Sequence, residues 1–131
     1  MRTETRSDSR LFGSLLRSLL REGIAVRFEA RGRSMYPAIK DGDLIQVNPA
    51  DCSDPGKVAM VATADGFRAH RIVAAGNTII TQGDCCLHPD QPANHLAGAV
   101  SIVKNEEPKP VPPQRVGTVA RRWLARLRGH F

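Results

Sequence analysis

The hydrophobic rhythm of the chain changes twice. Residues 9–22 place Leu11, Phe12, Leu15, Leu16, Leu19 and Leu20 at the three- and four-residue intervals of one helical face. Ser9 is suited to cap that helix and Gly23 to end it. Residues 1–23 therefore read as a short tail and a helix packed on the body of the protein. From Ile24 the period becomes two. "IAVRFEARG" sets Val26, Phe28 and Ala30 against Arg27, Glu29 and Arg31, the alternation of a half-buried strand. "DLIQVNP", "KVAMVAT", "FRAHRIVAA", "NTIITQ" and "HLAGAVSIV" follow, each short and bounded by Gly, Pro, Asp or Asn. Asp65-Gly66 is a strong hairpin signal, and "AAGNTI" marks a second hairpin. These six short strands with tight turns predict a mainly β, antiparallel domain over residues 24–104.

The rhythm stops at residues 105–114, "NEEPKPVPPQ", where four prolines and no apolar period predict an extended linker. Beyond it Val116, Val119, Ala120, Trp123, Leu124 and Leu127 form a helical stripe. Arg115, Arg121, Arg122, Arg126 and Arg128 surround that stripe, with no acidic residue among them. Residues 115–131 thus predict a basic amphipathic helix, suited to an anionic membrane surface or to folding back onto the domain.

Composition narrows the picture. At 131 residues and 41% hydrophobic, the chain is long and apolar enough for one domain with a core. Aromatics at 5% against 11 glycines and 9 prolines favour short elements joined by turns. A net charge of +6 suits anionic partners without choosing among them. Three cysteines, Cys52, Cys85 and Cys86, make a poor disulfide framework and favour a reducing, cytoplasmic compartment. No apolar run approaches the roughly 18 residues that would span a bilayer, so attachment to a membrane would be peripheral. One Trp and one Tyr leave no aromatic platform for single-stranded nucleic acid, which is not an expected partner.

Candidate chemistry centres on Ser34, in "RGRSMYPAIKDGDLIQV". A serine hydroxyl is a weak nucleophile unless a base takes its proton and donors hold the developing oxyanion. Of the lysines, Lys104 and Lys109 adjoin the linker and Lys40 follows Ser34 closely, which leaves Lys57. Of the histidines His70, His88, His95 and His130, His70 lies mid-strand in "FRAHRIV", and an imidazole titrates in the range a base needs near neutral pH. "TQGDCCLHPD" offers Asp84 and Asp90 to orient it. Spacing alone leaves open the alternative of a satisfied strand histidine and turn-forming aspartates.

Taken together, "GRSMYPAIKDGDLIQV", "AHRIV", "TQGDCCLHPD" and "LAGAVSIV" resemble the signal peptidase superfamily, which includes the self-cleaving SOS-type repressors. The first block is similar to the family's nucleophile box. The next two resemble its endoplasmic-reticulum and archaeal branch, in which histidine replaces the lysine base. The resemblance runs from about residue 24 to residue 103. It implies a small antiparallel β fold and a serine endopeptidase acting on signal- or leader-like peptides or precursor proteins, with no cofactor. It also implies Ser34 as nucleophile, His70 as base, Asp84 holding the His70 tautomer and Asp90 supporting the site electrostatically. Gly32 would let the backbone pass close to a bound peptide, with Met35, Tyr36 and Pro37 shaping the loop against it.

Four features depart from the family's pattern, one of them Cys85-Cys86 in place of a polar pair. No membrane span is present, Gln82 replaces the lysine of a Thr-Lys-Gly-Asp segment, and Gly32 stands where some bacterial enzymes carry an oxyanion-binding serine. Backbone amides around Ser34 would have to serve instead. The missing span points to a cytoplasmic precursor peptide as substrate. Self-cleavage of the repressor kind is not expected, because 33 residues are too few for a DNA-binding domain ahead of Ser34. Cys85, Cys86, His88 and His95 make an awkward metal chelate, and no metal is expected. The alternative to an enzyme is an inactive peptide- or membrane-binding module of the same fold.

Overall fold

The structure is a computed structural model and describes residues 6–49, 54–63, 66–93 and 97–114, with the backbone alone for residues 6–10 and 63. Cys52, His95, His130 and the basic segment 115–131 lie outside the described residues.

Among the described residues seven strands form one antiparallel sheet: β1 (Val26–Glu29), β2 (Leu44–Asn48), β3 (Val58–Thr63), β4 (Gly66–Ala75), β5 (Ile79–Gln82), β6 (Gly98–Lys104) and β7 (Glu107–Pro110). Their order is β1-β2-β6-β3-β4-β5. Alternation sets the register, since shifting a strand by one residue would send its core side chains to solvent. Thus Val47 pairs Val100 and Ile45 pairs Ile102, and all four side chains are buried. β3 and β4 form the first expected hairpin, closing at Thr63 and Gly66, and β4 and β5 form the second.

The seventh strand corrects the expectation for residues 105–114. Instead of a free linker, Glu107–Pro110 pairs antiparallel with Lys104–Ser101. Asn105 and Glu106 both take positive φ, as a two-residue hairpin turn requires. In such a hairpin the closing pair Lys104–Glu107 is hydrogen-bonded and the phase alternates from there. Pro108 and Pro110 therefore fall where no N–H is asked of them. β7 occupies the half of one β6 edge that β3 leaves open.

Among the described residues one helix, α1 (Arg6–Arg21), packs on the sheet. It begins ahead of Ser9, so Ser9 stands inside the helix rather than at its cap. Its end is as expected: Gly23 N–H donates to Leu20 O (3.0 Å) and Ile24 N–H to Leu19 O (2.9 Å), the paired bonds of a Schellman ending. Leu16 and Leu20 enter a core with Met35, Ile39, Ile45, Val47, Val58, Met60, Val100 and Ile102. The other leucines behave differently, with Leu11 69% and Leu15 57% exposed. No helix among the described residues is long and apolar enough to cross a membrane.

Candidate active site

Ser34 sits on the loop between β1 and β2. The base of that loop is closed by Ala30 N–H to Asp43 O (2.8 Å) and Gly42 N–H to Ala30 O (2.8 Å). Side chains cap the turns within it: Asp41 Oδ1 accepts from Gly32 N–H (2.8 Å) and Asp43 Oδ2 from Lys40 N–H (2.7 Å). The apolar loop residues Met35, Ala38 and Ile39 are buried and pin it to the core. Ser34, between exposed Arg33 and buried Met35, is left half-buried at the surface. Gly32 is demanded by its backbone (φ 91°), and the space beside it is open.

His70 rises from the middle of β4, 3% exposed. Its Nε2 lies 3.1 Å from Ser34 Oγ, and its Nδ1 lies 2.6 Å from Asp90 Oδ2. An ionised carboxylate can only accept, so it fixes the proton on Nδ1 and leaves Nε2 free to accept from the serine hydroxyl. Asp90 is itself held in place. Its N–H donates to Thr81 O (2.8 Å), Thr81 Oγ1 donates to its Oδ2 (2.7 Å), and Arg68 pairs with its Oδ1 at 3.3 Å. Ser34, His70 and Asp90 thus form one continuous hydrogen-bonded chain drawn from three separate segments. Lys57, the alternative base, begins the approach to β3 and lies exposed.

The carboxylate that reaches His70 Nδ1 is Asp90 and not Asp84, a choice the sequence leaves open. Asp84 is 2% exposed and receives two bonds from the Arg71 guanidinium, Nε to Oδ1 (2.9 Å) and Nη2 to Oδ2 (2.8 Å). The strand alternation explains the division. His70 and Arg71 are neighbours on β4, so their side chains leave opposite faces, and each meets a different aspartate. Arg71 also donates to Gly56 O (2.9 Å) and Pro112 O (2.9 Å), tying three segments to β4.

The turn after β5 is fitted to the serine loop. Cys85 N–H donates to Ser34 O (2.8 Å), Asp84 N–H to Met35 Sδ (3.4 Å), and Cys85 Sγ to Tyr36 O (3.0 Å). Tyr36 is 47% exposed beside this seam. A Cβ on Gly83 would come within 2.8 Å of Ser34 O, 2.7 Å of Cys86 Sγ and 3.1 Å of His70 Nε2. Only glycine fits there. Burial and the neighbouring Asp90 charge push the Cys86 thiol up, which keeps it protonated near neutral pH. Among the described residues no cluster of His, Cys, Asp or Glu is arranged to hold a metal ion.

The sequence reading missed four residues that build this site: Gly83, Thr81, Arg68 and Arg71. Gly83 lies within the "TQGD" segment, and Arg71 directly follows His70, but neither type signals its role without the facing loop. Thr81 and Arg68 reach Asp90 across the β4–β5 hairpin, a relation that depends on register.

The family model described as Peptidase S24-like matches residues 12–103. The chain therefore belongs to the Peptidase S24-like family, within the superfamily that joins the repressor peptidases to the signal peptidases. The mainly antiparallel β architecture with one N-terminal helix is consistent with that family's small β domain. No curated protein and no solved structure matches the chain significantly.

Proposed function

We propose that this protein is a serine endopeptidase in which Ser34 attacks the scissile carbonyl and His70 takes its proton. His70 then returns that proton to the leaving amine, while Asp90 holds the imidazole tautomer and stabilises the imidazolium. The observation that carries this reading is the Ser34–His70–Asp90 chain, with contacts of 3.1 and 2.6 Å. The Ser34 and Met35 amides take no part in the bonds that hold the loop among the described residues, which leaves them available as donors to the oxyanion. Histidine as the base favours the endoplasmic-reticulum and archaeal type of chemistry within the superfamily. Asp84, paired with Arg71, supports the loop instead of the imidazole.

The substrate is a leader- or signal-like segment of a precursor protein, bound in extended form. β1 stands at one end of the strand order and leads directly into the serine loop. A peptide added along its outer edge would have its backbone bonds satisfied and its scissile bond carried toward Ser34. Gly32, Met35, Tyr36 and Pro37 would shape the floor and wall beside it, with small residues next to the nucleophile.

The test is labelling of the intact protein with a serine-reactive acylating or phosphonylating probe, read by mass spectrometry. One adduct at Ser34, lost in Ser34→Ala and in His70→Ala, is the expected result. A folded protein that takes no label would point instead to a module that binds peptides without cleaving them.

A further inference from the structure

We propose that the outer face of α1 docks on an anionic lipid surface. Four apolar side chains on the helix and its end are left in solvent: Leu11 at 69%, Leu15 at 57%, Ile24 at 44% and Phe12 at 40%. Leu11 and Leu15 are four residues apart and so share one row. The helix buries its opposite row through Leu16 and Leu20.

This exposure is built into the packing. Gly13 lies against the Phe67 ring, where a Cβ would approach to 3.2 Å, and the Arg17 guanidinium stacks over the same ring at 5.6 Å. On the other flank Phe12 meets Phe28 of β1 edge-to-face, with centroids 4.9 Å apart. With both flanks gripped, the helix cannot roll to bury Leu11 and Leu15 without giving up those contacts and withdrawing Leu16 from the core. The leucine row is presented outward.

Charge selects the occupant. The sixteen residues of α1 carry four arginines and one aspartate. Arg21 is exposed at the end of the helix, and Arg17, though exposed, keeps its guanidinium over the Phe67 ring on the packed flank. A helix with an exposed leucine row and a net positive charge is suited to an anionic lipid interface, where apolar side chains sink and guanidinium groups meet phosphates. A second copy of this chain would bring the same arginines and the same +6 net charge to the contact. The segment 115–131 would bring five arginines and no acidic residue. Both are repelled where an anionic surface is attracted.

The full-length chain carries a single tryptophan, Trp123, so Leu15→Trp in a Trp123→Phe background gives an emission signal from the α1 face alone. Vesicles of mixed phosphatidylcholine and phosphatidylglycerol should shift that emission to the blue and saturate. The shift should be weak on phosphatidylcholine alone and should fall in high salt. Adding Leu11→Ser should weaken vesicle binding about tenfold, since it removes most of a leucine's transfer from water. No shift on anionic vesicles overturns the proposal, even if the protein floats with them, because the contact would then lie elsewhere. Equal binding to neutral vesicles also overturns it. So does a shift that grows with protein concentration in the absence of lipid, which would make the face an interface between copies.

Discussion

Asp84 and Asp90 lie six residues apart on one segment, both close to the serine loop, and the protein puts them to different uses. Asp84 is sealed in a two-bond pair with Arg71, both side chains at 5% exposure or less. Asp90 is more open at 13% and divides its oxygens among His70, Thr81 and Arg68. A carboxylate held by a guanidinium on both oxygens has little left for an imidazole. One that presents a lone pair to Nδ1 is positioned to fix the tautomer. Proximity to the serine loop therefore does not decide which carboxylate meets the histidine. The partner that claims its oxygens does.

The largest effect expected from breaking this division falls on folding. Asp84→Ala should leave the Arg71 guanidinium buried without its partner and cost about 3–5 kcal/mol of stability. Chemical denaturation would measure it, and a loss below about 1 kcal/mol would mean that water or another group replaces the carboxylate. Asp84→Leu with Arg71→Met should recover much of that loss, because no unpaired charge remains.

Next comes the seam between the two loops. Gly83→Ala would push Ser34 O and the His70 ring away, and a displacement of about 1 Å at the reacting atoms should slow Ser34 acylation about 100-fold. A rate within threefold of the parent would mean that the turn relaxes freely. On the Asp90 side, Thr81→Val removes one of the bonds that aim the carboxylate. It should slow acylation roughly tenfold while lowering stability by only about 1 kcal/mol. An equal loss of stability with an unchanged rate would make Thr81 a structural contact alone.

The smallest effect concerns the thiols. The thiolate is the reactive form, and Cys86 is held protonated by burial and the Asp90 charge. At neutral pH alkylation should therefore favour exposed Cys85, with Cys86 catching up as pH rises through its raised pKa. Asp90→Asn removes one of the charges that raise it and should bring Cys86 labelling to lower pH. Peptide mass mapping across a pH series would read both.

Much of this arrangement was legible in the sequence because alternation and turn residues specify strands locally. Val26 and Phe28, Ile45 and Val47, and the hairpin closing between Thr63 and Gly66 all lie where the pattern put them. Ser34 and His70 could be paired only through resemblance, since 36 residues separate them and register alone brings them together. The choice between Asp84 and Asp90 was not legible. It depends on which face of β4 each neighbouring side chain leaves, and His70 and Arg71 both present plausible partners. β7 was hidden because Pro108 and Pro110 read as breakers, although a proline costs nothing where its N–H would face away from the ladder. The apolar row of α1 predicts the helix but not its depth, because Leu16 and Leu20 are covered by the body while Leu11 and Leu15 are not.

The central claim is tested most directly by the rate of Ser34 acylation in Asp90→Asn and Asp84→Asn, each measured where circular dichroism shows the protein folded. Asp90→Asn should slow the reaction by about 10³–10⁴ with stability little changed, because the amide favours the wrong imidazole tautomer. Asp84→Asn should leave the rate within about tenfold of the parent while lowering stability. A folded Asp84→Asn variant slowed a thousandfold, beside an Asp90→Asn variant that reacts normally, would contradict the assignment.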